Sequence, residues 1–219
     1  TLCDYGYSAI RVGVWHGHTK YNPSCGVIEN NEIYCSRDYL EQIDSYGLMD
    51  GGAVYVATQN DGCIIRYNYI HDIGGIKDNR GIFCDDGAVN FSIYGNVITH
   101  VVNCYCIDAP RSVSVERNVG RANVGNVLYD NIVDGTIRFA GRENDDNGCE
   151  YGTNYFLTSG EGAKPATTVK NVSVTGEEVL LESTGERRGR IGVSRTSYNV
   201  LKKSPAWKHV KGWFVRKNK

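Results

Sequence analysis

The chain has 219 residues, of which 41% are apolar and 22% charged, and a net charge of −1. This is enough for one domain with a real core, and too apolar for a disordered chain. The small net charge sets up no field that would gather nucleic acid, and no apolar run approaches the ~18 residues of a membrane-spanning helix, so neither nucleic acid nor membrane is an expected partner.

Residues 1–25 carry one strand, around Tyr7 to Val12, and then Trp15-His16-Gly17-His18. A His-x-His pair is half a metal site, but no third ligand lies in sequence reach. His16 and His18 are therefore read as lining a cleft and touching substrate, and no metal is expected. Residues 26–36 form a first repeat unit. Residues 37–50 are an insertion with room for one or two helical turns, and in repeat folds such insertions project from a face that is often the binding face.

One phrase then recurs. Ile65-Arg66-Tyr67-Asn68-Tyr69-Ile70 is followed by Ile93-Tyr94-Gly95-Asn96-Val97-Ile98 and by Val115-Glu116-Arg117-Asn118-Val119. The same pattern (apolar, two variable residues, Asn, one variable residue, apolar) runs from Ile28 to Ile33 and from Leu128 to Val133. The Asn positions 31, 68, 96, 118 and 131 are spaced by 37, 28, 22 and 13 residues. Units of about two dozen residues with loop-sized insertions are the signature of a solenoid. Apolar and polar residues alternate in short runs rich in Val, Ile, Tyr and Phe, punctuated by Gly, Asn and Asp, which specifies strands and turns rather than helices. The predicted fold is all-β: a parallel β-helix whose stacked coils place the Asn residues in a ladder.

Aligning the coils on Asn matches Phe83 with Tyr55 and Tyr105, and Asp86 with Asp108. Alternation then turns Val54, Val56, Ile82, Cys84, Cys104 and Cys106 inward. It turns Tyr55, Phe83 and Tyr105 outward as an aromatic column, with Asp85 on the same face. The eight cysteines include no metal-binding spacing; small buried apolar residues or disulfides both suit them. Residues 119–157 carry the repeat less regularly. Short β-like runs follow at 169–174, 179–182 and 191–193, with a β-rich capping segment to the end. The organisation predicted is coils over 1–157 and last coils plus cap over 158–219, in one domain. The opening inside a coil suggests the C-terminal part of a longer protein or a trimmed mature chain.

The phrases Cys63 to Asp72 and Gly81-Ile82-Phe83-Cys84-Asp85-Asp86-Gly87, with Asp50-Gly51-Gly52-Ala53-Val54-Tyr55 upstream, resemble the repeats of right-handed β-helix carbohydrate-active enzymes. They are most similar to glycoside hydrolases of the family 141 type. Leu201 to Trp207 resembles their closing segment, which covers the last coil. The resemblance implies a secreted, periplasmic or cell-surface protein, monomeric or homo-oligomeric, acting on a polysaccharide. It implies catalytic carboxyls at Asp50 and at Asp85 or Asp86. Two carboxyls flanking a glycosidic bond serve as acid and as nucleophile or base. Tyr55, Phe83 and Tyr105 would stack on sugar rings, with Asp108 and His71 beside the substrate; His71-Asp72 also suits a purely structural role. No cofactor is expected of a hydrolase. A polysaccharide lyase, with Arg66 or Arg111 as base and calcium on acidic residues, is the first alternative. A glycan-binding module without catalysis, such as an adhesin or phage-fibre segment, is the second.

Overall fold

The computed structural model describes residues 1–13, 26–36, 38–40, 42, 51–57, 62–73, 80–85, 88–101, 103–108, 125–134, 136–140, 150–157, 171–173, 191–193 and 195–216. Within them the chain is strand-rich, and the strands pair in parallel throughout. Parallel neighbours cannot be joined by a hairpin. The chain instead visits three sheets in rotation.

The first circuit is β1 (Leu2–Cys3), β2 (Ser8–Gly13) and β3 (Val27–Glu29); the second is β4 (Glu32–Tyr34), β5 (Gly52–Ala57) and β6 (Ile64–Arg66). The third is β7 (Tyr69–His71), β8 (Arg80–Cys84) and β9 (Ser92–Tyr94); the fourth is β10 (Val97–Thr99), β11 (Asn103–Asp108) and β12 (Val127–Tyr129). The fifth is β13 (Ile132–Val133), β14 (Thr136–Ala140) and β15 (Glu150–Tyr151). The leading strand of every circuit enters the first sheet, the middle one the second and the last one the third. β16 (Asn154–Phe156) and β17 (Asn171–Ser173) extend the first sheet, while β18 (Ile191–Val193) pairs with β19 (Phe214–Arg216).

Register stacks like upon like inside. Ile33, Ile70, Ile98 and Val133 follow one another across the first sheet, and Ile28, Ile65, Ile93 and Leu128 across the third. With Val54, Val56, Ile82, Cys84 and Cys104 of the second sheet they make one apolar core. Each such side chain contributes roughly 1.5–3 kcal/mol when fully buried. Cys35, Cys63, Cys84 and Cys104 are buried, as small apolar residues would be.

The corner from third sheet to first is tight. Its leading residue sits in the left-handed region, at φ 57° for Asn30 and Tyr67, 64° for Gly95 and 56° for Asp130. An Asn follows each time. Asn31 Nδ2 donates to Asn68 Oδ1 (3.0 Å), Asn68 Nδ2 to Asn96 Oδ1 (2.9 Å), Asn96 Nδ2 to Asn131 Oδ1 (3.1 Å) and Asn131 Nδ2 to Asn154 Oδ1 (3.0 Å). The ladder therefore passes from Asn96 straight to Asn131. Asn154 is a further member, and Asn118 lies outside the described residues. A buried amide must be hydrogen-bonded, and here each rung satisfies the next.

The other two corners hold the long connections, and both flank the second sheet: 14–26, 35–51, 58–63, 109–126 and 141–149 among them. In the insertion read as helical, Leu40 N–H bonds the Ser36 carbonyl at 2.9 Å, one helical turn. The runs predicted at 169–174 and 191–193 contain β17 and β18, whereas 179–182 lies outside the described residues.

The closing segment lies elsewhere than expected. The helices Arg195–Leu201 and Trp207–Val210 and the 3-10 turn Lys211–Trp213 do not confine themselves to the last strand. Leu201, Val210 and Phe214 pack with Tyr69, Val97, Ile132 and Tyr155, so the segment spans the outer face of the first sheet across four circuits. Those outward positions are apolar, and an exposed apolar stripe needs a cover. Ser204 Oγ pins it by donating to the buried Asp130 carboxyl at 2.6 Å.

Candidate functional site

The outer face of the second sheet carries the strongest candidates. Tyr55 pairs with Phe83 in register, as the Asn alignment predicted. Both point away from the core and form a small cluster of their own with Ala57. They are not open, however: each is only 1% exposed. Tyr7 leans on the Tyr55 ring (5.7 Å), the Arg11 guanidinium lies 5.3 Å from it, and Arg80 sits 4.0 Å above Phe83. The reading of Tyr55 and Phe83 as a sugar-stacking platform is thus corrected. They are a covered layer, because outward-facing rings on a flat sheet attract cationic and aromatic neighbours.

Asp85 caps β8 on this face. It is 6% exposed, and its carboxylate accepts a short hydrogen bond from the Tyr55 hydroxyl. Burial, and then the Asp85 carboxylate itself, push the Tyr55 hydroxyl far above its ordinary value, so it stays a donor. The backbone fixes Asp85 as well: its N–H bonds the Val56 carbonyl (2.9 Å) and its carbonyl accepts from Ala88 N–H (3.0 Å).

The neighbouring strand is one residue out of the expected phase. Tyr105 pairs with Ile82, Cys106 with Phe83 and Ile107 with Cys84. Cys106, not Tyr105, occupies the register position after Tyr55 and Phe83, so the three-ring column is broken after two members. The same shift puts Asp108 one step past Ile107, level with Asp85 rather than with Asp86. The error follows from Asn118: counting 22 residues from Asn96 sets the strands one residue short of their pairing offset of 23, the separation of Ile82 and Tyr105. A local irregularity compounds it. Ala53 and Val54 both belong to the core cluster, so simple alternation fails at the start of β5.

Asp50, Asp86, His16, His18 and Arg111 lie outside the described residues. The Gly-Gly after Asp50 has a packing reason: a Cβ on Gly51 would collide with the Tyr7 carbonyl, and one on Gly52 would stand 3.2 Å from Phe83 Cβ. Arg66, an alternative base, is on the third sheet, bonded to Glu29 (2.6 Å) and the Tyr94 hydroxyl (2.8 Å).

His71 is also elsewhere, on the first sheet and 2% exposed, so it is not brought to Asp85. Its ring is sandwiched between Tyr34 (5.0 Å) and Tyr69 (4.3 Å). Nδ1 lies 2.7 Å from Asp72 Oδ2, and Nε2 3.5 Å from Glu32 Oε1. Asp72 also holds His100 Nδ1 (3.0 Å), and Asp134 accepts from the His100 backbone N–H (2.7 Å). Sequence reasoning missed His100 and Asp134; the signal available was their shared place after a first-sheet strand. Burial alone would raise the Asp72 carboxyl, but His100 and His71 outweigh it and hold it well below the carboxylate range. His100 is raised by its bond to Asp72. Burial pushes Asp134 up to about 6. With Tyr34 and Glu32 the cluster ties four circuits together, and His100 and Asp72 keep it partly open to solvent.

Among the described residues no group of three His, Cys, Asp or Glu is arranged to hold a metal ion, and no helix is long and apolar enough to cross a membrane. Comparison with protein-family models, with curated proteins and with solved structures found no match in any of the three.

Proposed function

We propose that the three-sheet circuit is a parallel β-helix and that the protein hydrolyses a polysaccharide laid along the outer face of its second sheet. The observation that carries this reading is the pairing of Asp85, hydrogen-bonded to Tyr55, with the register position of Asp108 on the next strand. Adjacent strands lie ~4.8 Å apart, close to the ~5–5.5 Å carboxyl separation of a retaining glycosidase. In this scheme Asp85, held in place by the Tyr55 hydroxyl, is the nucleophile, and Asp108 is the acid that protonates the leaving oxygen. Long connections flank this sheet at both corners, the usual setting for a binding groove in a repeat fold. The resemblance to family 141-type glycoside hydrolases points the same way, and with it goes a secreted or cell-surface location.

The test is release of reducing ends from a panel of neutral and acidic polysaccharides. Asp85→Asn and Asp108→Asn should each lower turnover by about 10²–10⁴-fold while the melt is retained. Unchanged turnover in both variants would remove the assignment.

Arg11 and Arg80 on the same face favour a second reading, a lyase acting on uronates. It predicts a requirement for calcium and an unsaturated, ultraviolet-absorbing product, which hydrolysis does not form.

A further inference from the structure

The outer face of the third sheet carries a feature that the second-sheet site does not use. In register across it stand Glu29, Arg66, Tyr94 and Tyr129. Tyr94 and Tyr129 are stacked face to face, centroids 4.7 Å apart and planes 12° apart. Tyr94 is fixed from below, since Arg66 Nη1 donates to its hydroxyl and Arg66 Nε to Glu29. Tyr67 buttresses it edge-on at 5.7 Å and is itself stacked on His209 at 4.0 Å.

The stack ends at Tyr129. The residue that follows in the column is Gly152, whose N–H bonds the Leu128 carbonyl at 2.8 Å. A Cβ there would come within 2.7 Å of Tyr129 Cβ. The far face of the Tyr129 ring thus meets no side chain from the position that would cover it. Tyr129 is 37% exposed, one of four large apolar side chains so exposed among the described residues. Its hydroxyl has no hydrogen-bond partner among those residues. The Arg66 charge is already paired with Glu29, and the Asp130 carboxyl, which also acts on the Tyr129 hydroxyl, is bonded to Ser204.

We propose that Tyr129 is a second carbohydrate subsite, which takes one neutral pyranose ring on the open face of its phenol. A rigid ring with an apolar face and a wet hydroxyl edge matches a pyranose, which also has an apolar face and a polar rim. A cation already paired and a carboxyl close by select an uncharged sugar over an anionic one. The site is on another sheet from Asp85, so it would hold a polymer without occupying the cleavage groove. This inference rests on the reading that the protein handles glycans, but not on its catalytic residues.

Affinity electrophoresis through hydroxyethyl cellulose, xylan, galactomannan and polygalacturonate tests it, alongside light scattering. The expected result is that the wild type, Asp85→Asn and Tyr129→Trp are retarded in at least one neutral gel. Tyr129→Ala should bind about 10-fold more weakly with its melt retained. Equal retardation of Tyr129→Ala, no retardation of the wild type in any neutral gel, or retardation in polygalacturonate alone overturns the proposal. A change of oligomeric state in Tyr129→Ala also overturns it, by showing the face to be a contact between copies. Loss of turnover in Asp85→Asn with normal binding by Tyr129→Ala would sink the subsite and leave the hydrolase. The reverse outcome would do the opposite.

Discussion

Replacing Asn96 by Ala removes one rung from the middle of the amide ladder. Asn96 is fully buried. Its Oδ1 accepts from Asn68 N (3.1 Å) and Asn68 Nδ2 (2.9 Å), and its Nδ2 donates to Ile65 O (3.0 Å) and Asn131 Oδ1 (3.1 Å). All four bonds go with the side chain. Two backbone groups, Asn68 N–H and Ile65 C=O, lose that partner in a place water does not reach. Each buried group left unsatisfied costs about 1–3 kcal/mol, so the loss should be about 4 kcal/mol. For a domain of this size that is a fall in Tm of roughly 8–16 °C. Urea unfolding followed by tryptophan fluorescence would measure it, with the slope unchanged. Asn118→Ala is the internal control, since the ladder bond from Asn96 runs directly to Asn131. A loss below about 1 kcal/mol for Asn96→Ala, or an equal loss for Asn118→Ala, would show that the phrase and not the hydrogen bonding marks the rung.

Two further outcomes can be checked by the same unfolding assay. The Asp134 carboxyl is raised from 3.8 to about 6 in the folded state, so its contribution is present below pH ~4 and is lost as pH rises through about 6. Asp134→Asn should therefore stabilise the protein at pH 7.5 by about 1–2 kcal/mol, after discounting the full shift for partial exposure, and change nothing near pH 4; a variant less stable at pH 7.5 would contradict this. Gly95 sits at φ 64° with its Cβ position 2.7 Å from the Tyr67 ring and 3.0 Å from Ala206 Cβ. Gly95→Ala should cost about 2–3 kcal/mol and loosen the closing segment, read as faster proteolysis near residue 206; unaltered cleavage would show that the segment is seated independently of that corner.

Much of the strand architecture was legible because the core repeats a simple demand. A β-branched residue two places after a ladder Asn recurs at Ile33, Ile70, Ile98 and Val133, and register stacks them as the phrase implies. The exception is instructive. Val115 to Val119 meets only two of the three fixed positions of the phrase, because Gly120 stands where the second apolar residue belongs. Tyr151 to Phe156 meets all three, around Asn154, and is a true rung. Counting Asn118 as a rung then moved a whole strand by one residue, which exchanged Tyr105 for Cys106 and Ile107 for Asp108 as the residues level with Phe83 and Asp85. The faces of Tyr55 and Phe83 were readable from alternation, but their burial was not. Arg11 comes from the first circuit, 44 residues before Tyr55, and no local pattern announces that its guanidinium will lie over that ring.

The placement of residues 195–216 bears on how the molecule is made in the cell. They are the last of the described residues to be synthesised, yet they roof a stripe laid down four circuits earlier. Until translation has passed Phe214, Tyr69, Val97, Ile132 and Tyr155 stand unroofed on the nascent chain. A ribosome stalled before that point would present a sticky surface to chaperones, and one released after it would not.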